Sequence, residues 1–403
     1  DIIITEIGGT VGDIESLPYI EAVRQLKWEL GSENSLVIHL TLIPYLSAAA
    51  ELKTKPTQHS VKTLMESGVN ADIIVCRTEH KLSNAIKNKI ALFCNVKNEA
   101  VIESIDAETI YDVPILMQKE RLDKVVLKKL GLSTIKSSKM DRWKVFLDKL
   151  KNSNKIVKIG LIGKYVELQD SYKSILESLT HAGVANEVKV KIITIHSESI
   201  NDTNLSELLV KLNGIIVAPG FGERGIEGKI KAIRYSRENN VPFLGICLGM
   251  QMAVIEYARN VLKLEDVNST EMKENCKNPI ISLMENQKSI VNKGGTMRLG
   301  AWDCELLKKS KTEKIYNKKV ISERHRHRYE LNNEYLDHLN KGDLIPSGIN
   351  PETNLVEVVE HKEHPWFIGV QFHPEYSSTV LEPHPLFKSF INSSIKNLKN
   401  KIN

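Results

Sequence analysis

A cysteine between two glycines is the residue in this sequence best suited to nucleophilic chemistry. Gly245, Cys247 and Gly249 follow the short apolar run at 241–244 and precede an apolar helical pattern. Glycines beside a nucleophile allow the tight strand-to-helix turn called a nucleophile elbow, which presents the side chain above a sheet. The dipole of the helix that follows favours a thiolate. Because free cysteines are also among the most buried residues, a structural cysteine is the alternative.

A histidine and a carboxylate far downstream are suited to act as base and orienter for that thiol. His373 and Glu375 end an apolar run that begins at Trp366. Side chains two residues apart on an extended segment point the same way, so Glu375 can orient the His373 ring and stabilise its cation. A lone histidine is more often structural, but cysteine, histidine and carboxylate together form the triad that an activated nucleophile requires.

A glycine-rich turn follows another apolar run in the same half of the sequence. Gly220 and Gly222 come directly after the predicted strand at 214–218. Backbone N–H groups in such a turn can stabilise an oxyanion. The Gly-Leu-Ile-Gly-Lys stretch at 160–164 has two residues rather than four between its glycines, and a tyrosine follows its lysine, so it is rejected as a phosphate loop.

Carboxylates surround a glycine-rich loop near the start of the sequence. The loop at 8–12 lies between Glu6 and the pair Asp13 and Glu15. Loops of this kind after a strand lie where α/β sheets bind ligands, and carboxylates suit Mg²⁺ or the donors of a ribose or a base. A solvated turn capped by Ser16 is the alternative.

Two lysines precede a second predicted helix. Lys53 and Lys55 stand before a proline-initiated helix whose first turn carries Thr57 and Gln58. Free N–H groups at a helix start, together with ammonium groups, make a site for polyphosphate. Ordinary solvated lysines are the alternative.

Composition and length limit the classes of protein. The 403 residues are 41% apolar and 26% charged, which is ordinary for a globular protein, and the length predicts two domains. No apolar run is long enough to span a bilayer, and the net charge of +5 is spread along the sequence, so neither a membrane nor a nucleic-acid partner is predicted. Five scattered cysteines without a C-x-x-C pair favour a reducing, cytoplasmic setting over disulfides or zinc.

Apolar runs of strand length alternate with helical patterns, which predicts an α/β fold. We expect two domains, each a mostly parallel sheet flanked by helices, at residues 1–137 and 156–403 with a linker at 138–155. In the first domain we predict strands at 2–7, 36–42, 73–76, 92–95 and 101–104, and helices at 17–28, 57–67 and 123–130. In the second we predict strands at 156–162, 189–195, 214–218, 243–246, 289–291 and 367–372.

The elbow at 245–251 and the His-Pro-Glu sequence at 373–375 strongly resemble the class I (triad) glutamine amidotransferases. Further stretches resemble the CTP synthase family in particular, and the resemblance runs from end to end. They are EIGGTVGDIES at 6–16, KTKPTQ at 53–58, NSTEM at 268–272, GGTMRLG at 294–300 and RHRHRYE at 324–330. The resemblance implies a synthase domain similar to the P-loop NTPases, followed by a class I glutamine amidotransferase domain.

That family makes CTP from UTP, using ATP and ammonia released from glutamine. The resemblance implies that Cys247 is the nucleophile, His373 the base and Glu375 its orienter, with an oxyanion hole at Gly220 and the Leu248 backbone. The residues it assigns to the glutamine substrate are Gly220, Leu248, Gly249, Met250, Gln251, Glu271 and Arg328. A carboxylate for the substrate ammonium group and a guanidinium for its carboxylate make chemical sense.

In the synthase domain the resemblance assigns Glu6 to Mg²⁺. To UTP as substrate, or CTP as feedback inhibitor, it assigns Asp13, Ile14, Glu15, Lys53, Thr54, Lys55, Pro56, Thr57, Gln58 and Lys89. Near ATP, which would phosphorylate the uracil 4-oxygen so that ammonia displaces it, it places Ile105, Asp106 and Ala107. Lysines and Mg²⁺ would neutralise the polyphosphates. GTP is implied as the activator of glutamine hydrolysis, with residues 222–225 as its contact, and assembly into homotetramers and filaments is implied as well.

The sequence departs from the family pattern in two places. The family's phosphate-binding glycine/lysine loop has no match, so we expect it to precede Asp1 and the sequence as given to retain glutaminase chemistry at best. Ala218-Pro219-Gly220 replaces the commoner Pro-Gly-Gly but keeps Gly220. Two other interpretations stay open: a glutaminase that serves another acceptor, such as a purine or carbamoyl phosphate, and a non-catalytic fragment or assembly subunit.

Overall fold

A computed structural model describes residues 2–132, 139–283 and 297–402. The chain divides into two compact units, Asp1–Asp141 and Arg142–Asn403. Within the described ranges, no helix combines the length and the apolar character needed to cross a lipid bilayer. The strand predicted at 289–291 and the glycines at 294–295 lie outside the described residues.

The first unit has a parallel sheet flanked by helices. Its strands are β1 (Ile38–Ile43), β2 (Tyr45–Leu46), β3 (Glu51–Leu52), β4 (Ile73–Thr78) and β5 (Val101–Ile105). Its helices are α1 (Leu17–Leu30), α2 (Lys55–Glu66), α3 (Asn84–Phe93), α4 (Val113–Lys119) and α5 (Leu122–Lys129). The sheet has the order β1-β4-β5, and β2 pairs with β3 in a short antiparallel ribbon. The first four residues of β4 are buried without alternation, as expected for a central parallel strand.

The carboxyl ends of these parallel strands lie in one row. Ile43 pairs with Thr78, and Thr78 pairs with Ile105. The ribbon of β2 and β3 returns the chain to the same edge, where the Lys53 N–H donates to the Pro44 carbonyl at 3.0 Å. Helix α2 therefore begins beside the edge of the sheet at which α/β folds bind ligands.

Two strands predicted for this unit are wrong. Residues 2–7 form no strand, because no described strand pairs with their backbone, and Ile3 and Ile4 are 89% and 90% exposed. Residues 92–95 belong to the end of α3 and the turn after it, where the Cys94 N–H continues the helical bonding to the Ile90 carbonyl. The other predicted strands correspond to β1, β4 and β5, and the predicted helices correspond to α1, α2 and α5.

The second unit is larger. Its strands are β6 (Ile156–Gly163), β7 (Lys189–His196), β8 (Gly214–Val217), β9 (Phe243–Ile246), β10 (Val267–Ser269), β11 (Asn278–Leu283), β12 (Arg298–Leu306), β13 (Val320–His327), β14 (Tyr329–Leu331), β15 (Leu344–Ile349), β16 (Val356–His361) and β17 (Phe367–Val370). Its helices are α6 (Asp141–Asn152), α7 (Lys173–Ala185), α8 (Leu205–Leu209), α9 (Ile226–Glu238), α10 (Leu248–Asn260), α11 (Lys311–Tyr316), α12 (Leu336–Asn340) and α13 (Pro385–Ile402). Helix α6 occupies most of the stretch predicted as a linker, and its Phe146 packs against the His181 ring of α7.

The central sheet of this unit has the order β13-β12-β15-β16-β17-β9-β8-β6-β7. From β17 to β7 neighbouring strands are parallel, whereas from β13 to β17 they are antiparallel. The α/β class is confirmed, but the antiparallel extension was not predicted. Its strand β13 alternates buried and exposed residues and carries several charged side chains, so it lacks the continuous apolar signal of β8 or β9.

Alternate residues of the parallel strands enter two apolar cores, one on each face of the sheet. Phe243 of β9 packs in the core that includes α9 and α10, and Leu244 packs in the core that includes α7 and α13. Helix α10 is buried from Leu248 to Ala258. A helix buried on all sides is held rigidly, so its first residues are a firm platform for a site.

Candidate active site

Neighbouring parallel strands bring distant parts of the second unit to one sheet edge. Strands β8, β9 and β17 are adjacent, and Val370 at the end of β17 pairs with Ile246 at the end of β9. Cys247 follows β9 directly, the glycine-rich turn at 218–222 follows β8, and residues 371–375 follow β17. The carboxyl edge of a parallel sheet is the usual position of a ligand site.

The backbone at Cys247 has the geometry of a nucleophile elbow. Its φ of 52° and ψ of −105° lie where non-glycine residues are uncommon. A Cβ added to Gly245 would lie 2.7 Å from the Gly249 carbonyl carbon, and one added to Gly249 would lie 2.2 Å from the Val217 oxygen. Both glycines are therefore required by close backbone approach, as the sequence predicted. The Cys247 N–H donates to the Val370 carbonyl at 2.7 Å, which fixes the turn to β17.

His373 and Glu375 form a buried pair. The His373 Nδ1 lies 2.7 Å from the Glu375 Oε1. The predicted extended segment is wrong, since Pro374–Ser377 form a 3₁₀ turn. The pair therefore forms within a turn rather than along a strand. Tyr376 stacks on His373 with ring centroids 5.3 Å apart and an interplanar angle of 18°. The imidazole is thus held by a carboxylate and by an aromatic face.

The charge state of His373 is coupled to the cysteine. Burial disfavours the charged ring, but the interactions with Cys247 and with Glu375 outweigh burial and raise the pKa of His373 above its ordinary value. Apart from Cys247, the His373 Nε2 has no hydrogen-bond partner among the described residues. A protonated imidazole beside a thiol is the arrangement that generates a reactive thiolate.

Gln371 is a site residue to which the sequence interpretation gave no role. Its Nε2 donates to the Cys247 Sγ at 3.6 Å, and its Oε1 accepts from the Gln251 Nε2 at 3.2 Å. Gln251 also donates to the Tyr329 carbonyl at 2.7 Å. The available signal was that Gln371 lies two residues before His373 in the same run. Gln251, assigned to glutamine, has its amide nitrogen committed to protein partners.

The turn at 218–222 lies against the start of α10. A Cβ added to Gly220 would lie 3.5 Å from the Leu248 Cδ2, so the two residues assigned to the oxyanion hole are neighbours. Leu248 is the first residue of α10, and N–H groups in a first helical turn have no partner within the helix. The Gly222 N–H donates to the Glu271 Oε1 at 2.8 Å. The turn is therefore bonded to one of the residues predicted to hold the substrate.

Glu271 and Arg328 both act on one tyrosine. Burial raises the pKa of Tyr329, the charge of Glu271 raises it further, and the charge of Arg328 lowers it. The charges of the carboxylate and the guanidinium predicted for the substrate therefore both influence the Tyr329 hydroxyl. Met250 is fully buried beneath the site, and a Cβ on Gly369 would lie 3.1 Å from the Met250 Cα. Gly249 and Met250 can therefore reach a ligand only through their backbone.

The predicted polyphosphate stretch lies at the start of α2 in the first unit. Lys53 forms an ion pair with Glu51, and the Gln58 Nε2 donates to the Thr54 Oγ1 at 3.1 Å. Lys55 and Pro56 are exposed. Thr57 is fully buried and donates to the Leu42 carbonyl at 3.1 Å, so its side chain faces the core rather than a ligand.

The carboxylates of the glycine-rich loop are open to solvent. Asp13 and Glu15 are exposed, and Ile14 is 81% exposed. The Asp13 Oδ2 accepts from the Thr10 N–H at 2.9 Å, which closes the loop on itself. A Cβ added to Gly12 would lie 3.3 Å from the Thr63 Cγ2, so the loop packs beside α2.

The stretch predicted for ATP follows β5 at the same sheet edge as Lys53. The Asp106 N–H donates to the Thr78 carbonyl at 2.9 Å, and its carboxylate accepts from the Arg77 Nε at 3.1 Å. Ala107 follows it in the chain and is half-buried. Lys89 lies exposed on α3, and no bond in the described ranges joins it to the other predicted nucleotide contacts.

Family models match both units. Residues 1–132 match the model described as CTP synthase N-terminus, and residues 167–393 match the model described as Glutamine amidotransferase class-I. The CTP synthase of Christiangramia forsetii is 67% identical over 394 residues, which are 98% of this chain and 72% of that protein. The CTP synthase of Flavobacterium johnsoniae is 65% identical over 395 residues, 98% of this chain and 74% of that protein. The solved glutaminase domain of Trypanosoma brucei CTPS with bound acivicin is 38% identical, with a TM-score of 0.56, and covers 60% of this chain and 94% of that one.

Proposed function

The chain belongs to the CTP synthase family of glutamine-dependent ligases, and we propose that Cys247, His373 and Glu375 are the residues with which it hydrolyses glutamine. The supporting observation is the elbow at Cys247 beside the hydrogen-bonded His373–Glu375 pair. The match of residues 1–132 to the CTP synthase N-terminus favours UTP over a purine or carbamoyl phosphate as the acceptor partner.

The geometry supports acyl transfer through the cysteine. The Cys247 thiolate attacks the carboxamide carbon of glutamine, and the carbonyl electron pair moves onto oxygen. As the oxyanion collapses, the C–N bond breaks and protonated His373 gives its proton to the departing nitrogen, which leaves as ammonia. Water then attacks the thioester with His373 as base, and glutamate is released. Glu375 holds the imidazole in the orientation that both proton transfers need.

Backbone N–H groups and two charged side chains would bind the substrate. Gly220 lies beside the Leu248 side chain, so the N–H groups of these two residues are the proposed oxyanion donors. Loss of a single such donor typically lowers kcat by about 10²–10³. Glu271 would bind the substrate ammonium group and Arg328 its carboxylate. Glu271 accepts from the Gly222 N–H, and Arg328 precedes Tyr329, whose carbonyl accepts from Gln251, which supports a common pocket.

The carboxyl edge of the β1-β4-β5 sheet is the proposed nucleotide site of the first unit. Lys53, Lys55 and the start of α2 suit the phosphates of UTP, and Asp106 would lie near ATP. The Glu6 carboxylate is exposed and fits Mg²⁺, which typically takes one or two carboxylates together with substrate phosphates. Bound there, Mg²⁺ would supply neutralisation of phosphate charge.

Further properties rest on the family resemblance. They are activation by GTP, feedback inhibition by CTP and assembly into homotetramers and filaments. A cytoplasmic location rests instead on the five scattered cysteines. For GTP the candidate contact is the loop at 222–225. Its Arg224 pairs with Glu198 at 2.8 Å and lies over the Tyr165 ring at 5.3 Å, so the guanidinium is already held in place.

The direct test is release of glutamate from glutamine by the parent chain and by Cys247→Ala. We expect activity in the parent and none in the variant. Cys276→Ala, which removes a partly exposed thiol, is the matched control and should behave like the parent. No hydrolysis by the parent would favour the non-catalytic subunit, and activity that survives in Cys247→Ala would exclude the proposed nucleophile. Formation of CTP from UTP, ATP and ammonia by the full-length protein tests the acceptor.

A further inference from the structure

Two buried lysines contact the carbonyl oxygens of the turn at 218–222. Lys229 of α9 is fully buried, and its Nζ donates to the Ala218 carbonyl at 3.0 Å. Lys164, directly after β6, is 5% exposed, and its Nζ donates to the carbonyls of Phe221 at 2.5 Å and of Gly222 at 3.0 Å. Lysines are almost never fully buried unless they are paired, so these contacts are specific.

The two lysines hold opposite ends of the segment that contains Gly220. Lys229 holds the carbonyl at 218, and Lys164 holds those at 221 and 222. The peptide between Phe221 and Gly222 is fixed on both sides, because its carbonyl accepts from Lys164 and its N–H donates to Glu271. The peptide that carries the Gly220 N–H, between Pro219 and Gly220, is bonded by neither lysine, but anchored carbonyls stand before and after it and limit its orientation.

Lys229 lies beside the reacting centre. Its Nζ is 3.8 Å from the position that a Cβ on Gly220 would occupy, on the glycine that also neighbours Leu248. Burial lowers the pKa of Lys229 to about 7, the charge of Lys164 lowers it further, and Cys247 acts in the opposite direction. The amine is therefore within electrostatic reach of the thiol, and in either charge state it can donate to Ala218.

We propose that Lys229 and Lys164 are positioning residues that hold the turn at 218–222 with the Gly220 N–H directed at the oxyanion formed on Cys247. The inference rests on the proposed role of Cys247 as the nucleophile. The proposal also assigns a role to Lys164, which lies in the glycine-containing segment at 160–164 that was rejected as a phosphate loop. A turn held in advance stabilises charge without reorganising during the reaction, which is the main source of catalysis by such donors.

The test compares two reactions of the same thiol in the full chain. Hydrolysis of glutamine forms an oxyanion, whereas alkylation by iodoacetamide only displaces iodide from carbon and forms none. For Lys229→Met we expect kcat for hydrolysis to fall at least about tenfold with a smaller change in KM, because a misdirected donor fails in the transition state. Both reactions are run above about pH 8, where the Lys229 amine, with its pKa of about 7, is mostly neutral and adds little charge beside the thiol. Alkylation of Cys247, followed by peptide mass spectrometry, should then proceed at the parent rate.

Lys231→Met is the matched control, because it removes an ammonium group from the same helix that pairs with Asp202 at the surface. It should retain the parent kcat. Unchanged kcat in Lys229→Met would overturn the proposal, and so would a parallel loss of hydrolysis and alkylation, which would mean that the lysine only supports the elbow.

For Lys164→Met we expect the same fall in kcat and the same unchanged alkylation rate. This variant tests the proposal if the melting temperature of Lys229→Met shows that it does not fold. Cys247→Ala distinguishes failure of the proposed nucleophile from failure of the positioning role. If that variant still hydrolyses glutamine, Cys247 is not the nucleophile and the proposed function fails. If it does not, the kinetics of the lysine variants test the positioning role.

Discussion

The Gln371 side chain donates a hydrogen bond to the Cys247 sulfur across 3.6 Å. The amide that does this is itself held by Gln251, so the thiol has a fixed neutral donor in addition to its histidine. Since Gln371 is fully buried, its amide cannot turn to water instead. The sulfur therefore has a hydrogen-bond donor that is not a member of the triad.

Gln371→Leu should therefore lower glutamine hydrolysis. The substitution keeps the volume but removes a hydrogen bond to a charged thiolate, a type of interaction worth about 1.5–3 kcal/mol, so kcat should fall roughly tenfold or more. Alkylation of Cys247 by iodoacetamide at neutral pH should slow as well, because less thiolate forms. Steady-state kinetics and the alkylation rate are the measurements, and an unaltered alkylation rate would speak against a role at the sulfur.

Gly249→Ala should destabilise the second unit. The added Cβ would lie 2.2 Å from the Val217 carbonyl oxygen, a backbone atom that cannot move without displacing β8. Overpacking of this kind costs about 1–3 kcal/mol or more, which would appear in a thermal melt as a shift of several degrees. Gly8→Ala is the comparison, because a Cβ there meets no atom closer than 3.7 Å. Equal melting temperatures for the two variants would contradict the close approach of Gly249 to the Val217 carbonyl oxygen.

A buried carboxyl group makes the stability of this unit depend on pH. Burial raises the pKa of Glu330 from 4.5 to about 8, with Glu357 adding to the rise and Arg298 opposing it. The folded state therefore binds more protons than the unfolded state between these two values. By linkage, the free energy of unfolding falls as the pH rises from about 4.5 to about 8, by about 1.4 kcal/mol for each unit of the shift.

Glu330→Gln should remove the Glu330 share of this dependence, because the amide resembles the protonated acid, while the raised pKa of Glu357 leaves a smaller share of the same sign. We expect the variant to melt at nearly the parent temperature at pH 5 and at a clearly higher temperature at pH 8.5. Glu352→Gln, at an exposed position, should follow the parent at both values. A Glu330→Gln variant that is no more stable than the parent at pH 8.5 would refute the linkage.

Lys53→Met should weaken UTP binding and leave glutamine hydrolysis without nucleotides unchanged. Lys53 stands beside the carboxyl end of β1, and loss of one partly exposed lysine–phosphate contact corresponds to roughly a fivefold to tenfold rise in KM for UTP. The measurement is CTP formation by the full-length protein with varied UTP. Lys62→Met removes an exposed lysine from α2, the helix that follows Lys53, and should leave KM unchanged. Equal KM values for the two variants would exclude Lys53 from the UTP site.

The elbow could be anticipated from sequence because its determinants are local. Gly245 and Gly249 are dictated by backbone contacts within a few residues of Cys247 and across one neighbouring strand. The buried parallel strands were likewise visible as continuous apolar runs. Residues 2–7 have the same apolar character without the pairing, and a run of isoleucines does not reveal whether a partner strand lies beside it.

The supports of the site were not visible, because they depend on which strands are neighbours. Lys164 contacts the turn at 218–222 only because β6 pairs with β8, and Lys229 reaches Ala218 from a helix that follows in the chain. The spacing of neither lysine from other residues matches a recognised sequence motif. Strand β13 escaped for a different reason, since its charged residues alternate with buried ones and resemble a surface segment. Strand β16 carries buried glutamates, which interrupt the apolar run expected of a core strand.

The backbone strain at Cys247 lowers the stability of the fold at the residue proposed to carry out the chemistry. A non-glycine residue held at a φ of 52° with a ψ of −105° costs on the order of 1–3 kcal/mol, which a glycine there would relieve. The most stable sequence for this sheet edge is therefore one without a nucleophile. Selection for stability alone would drive the chain toward an inert protein, and the thiol persists there only under a demand for what it does.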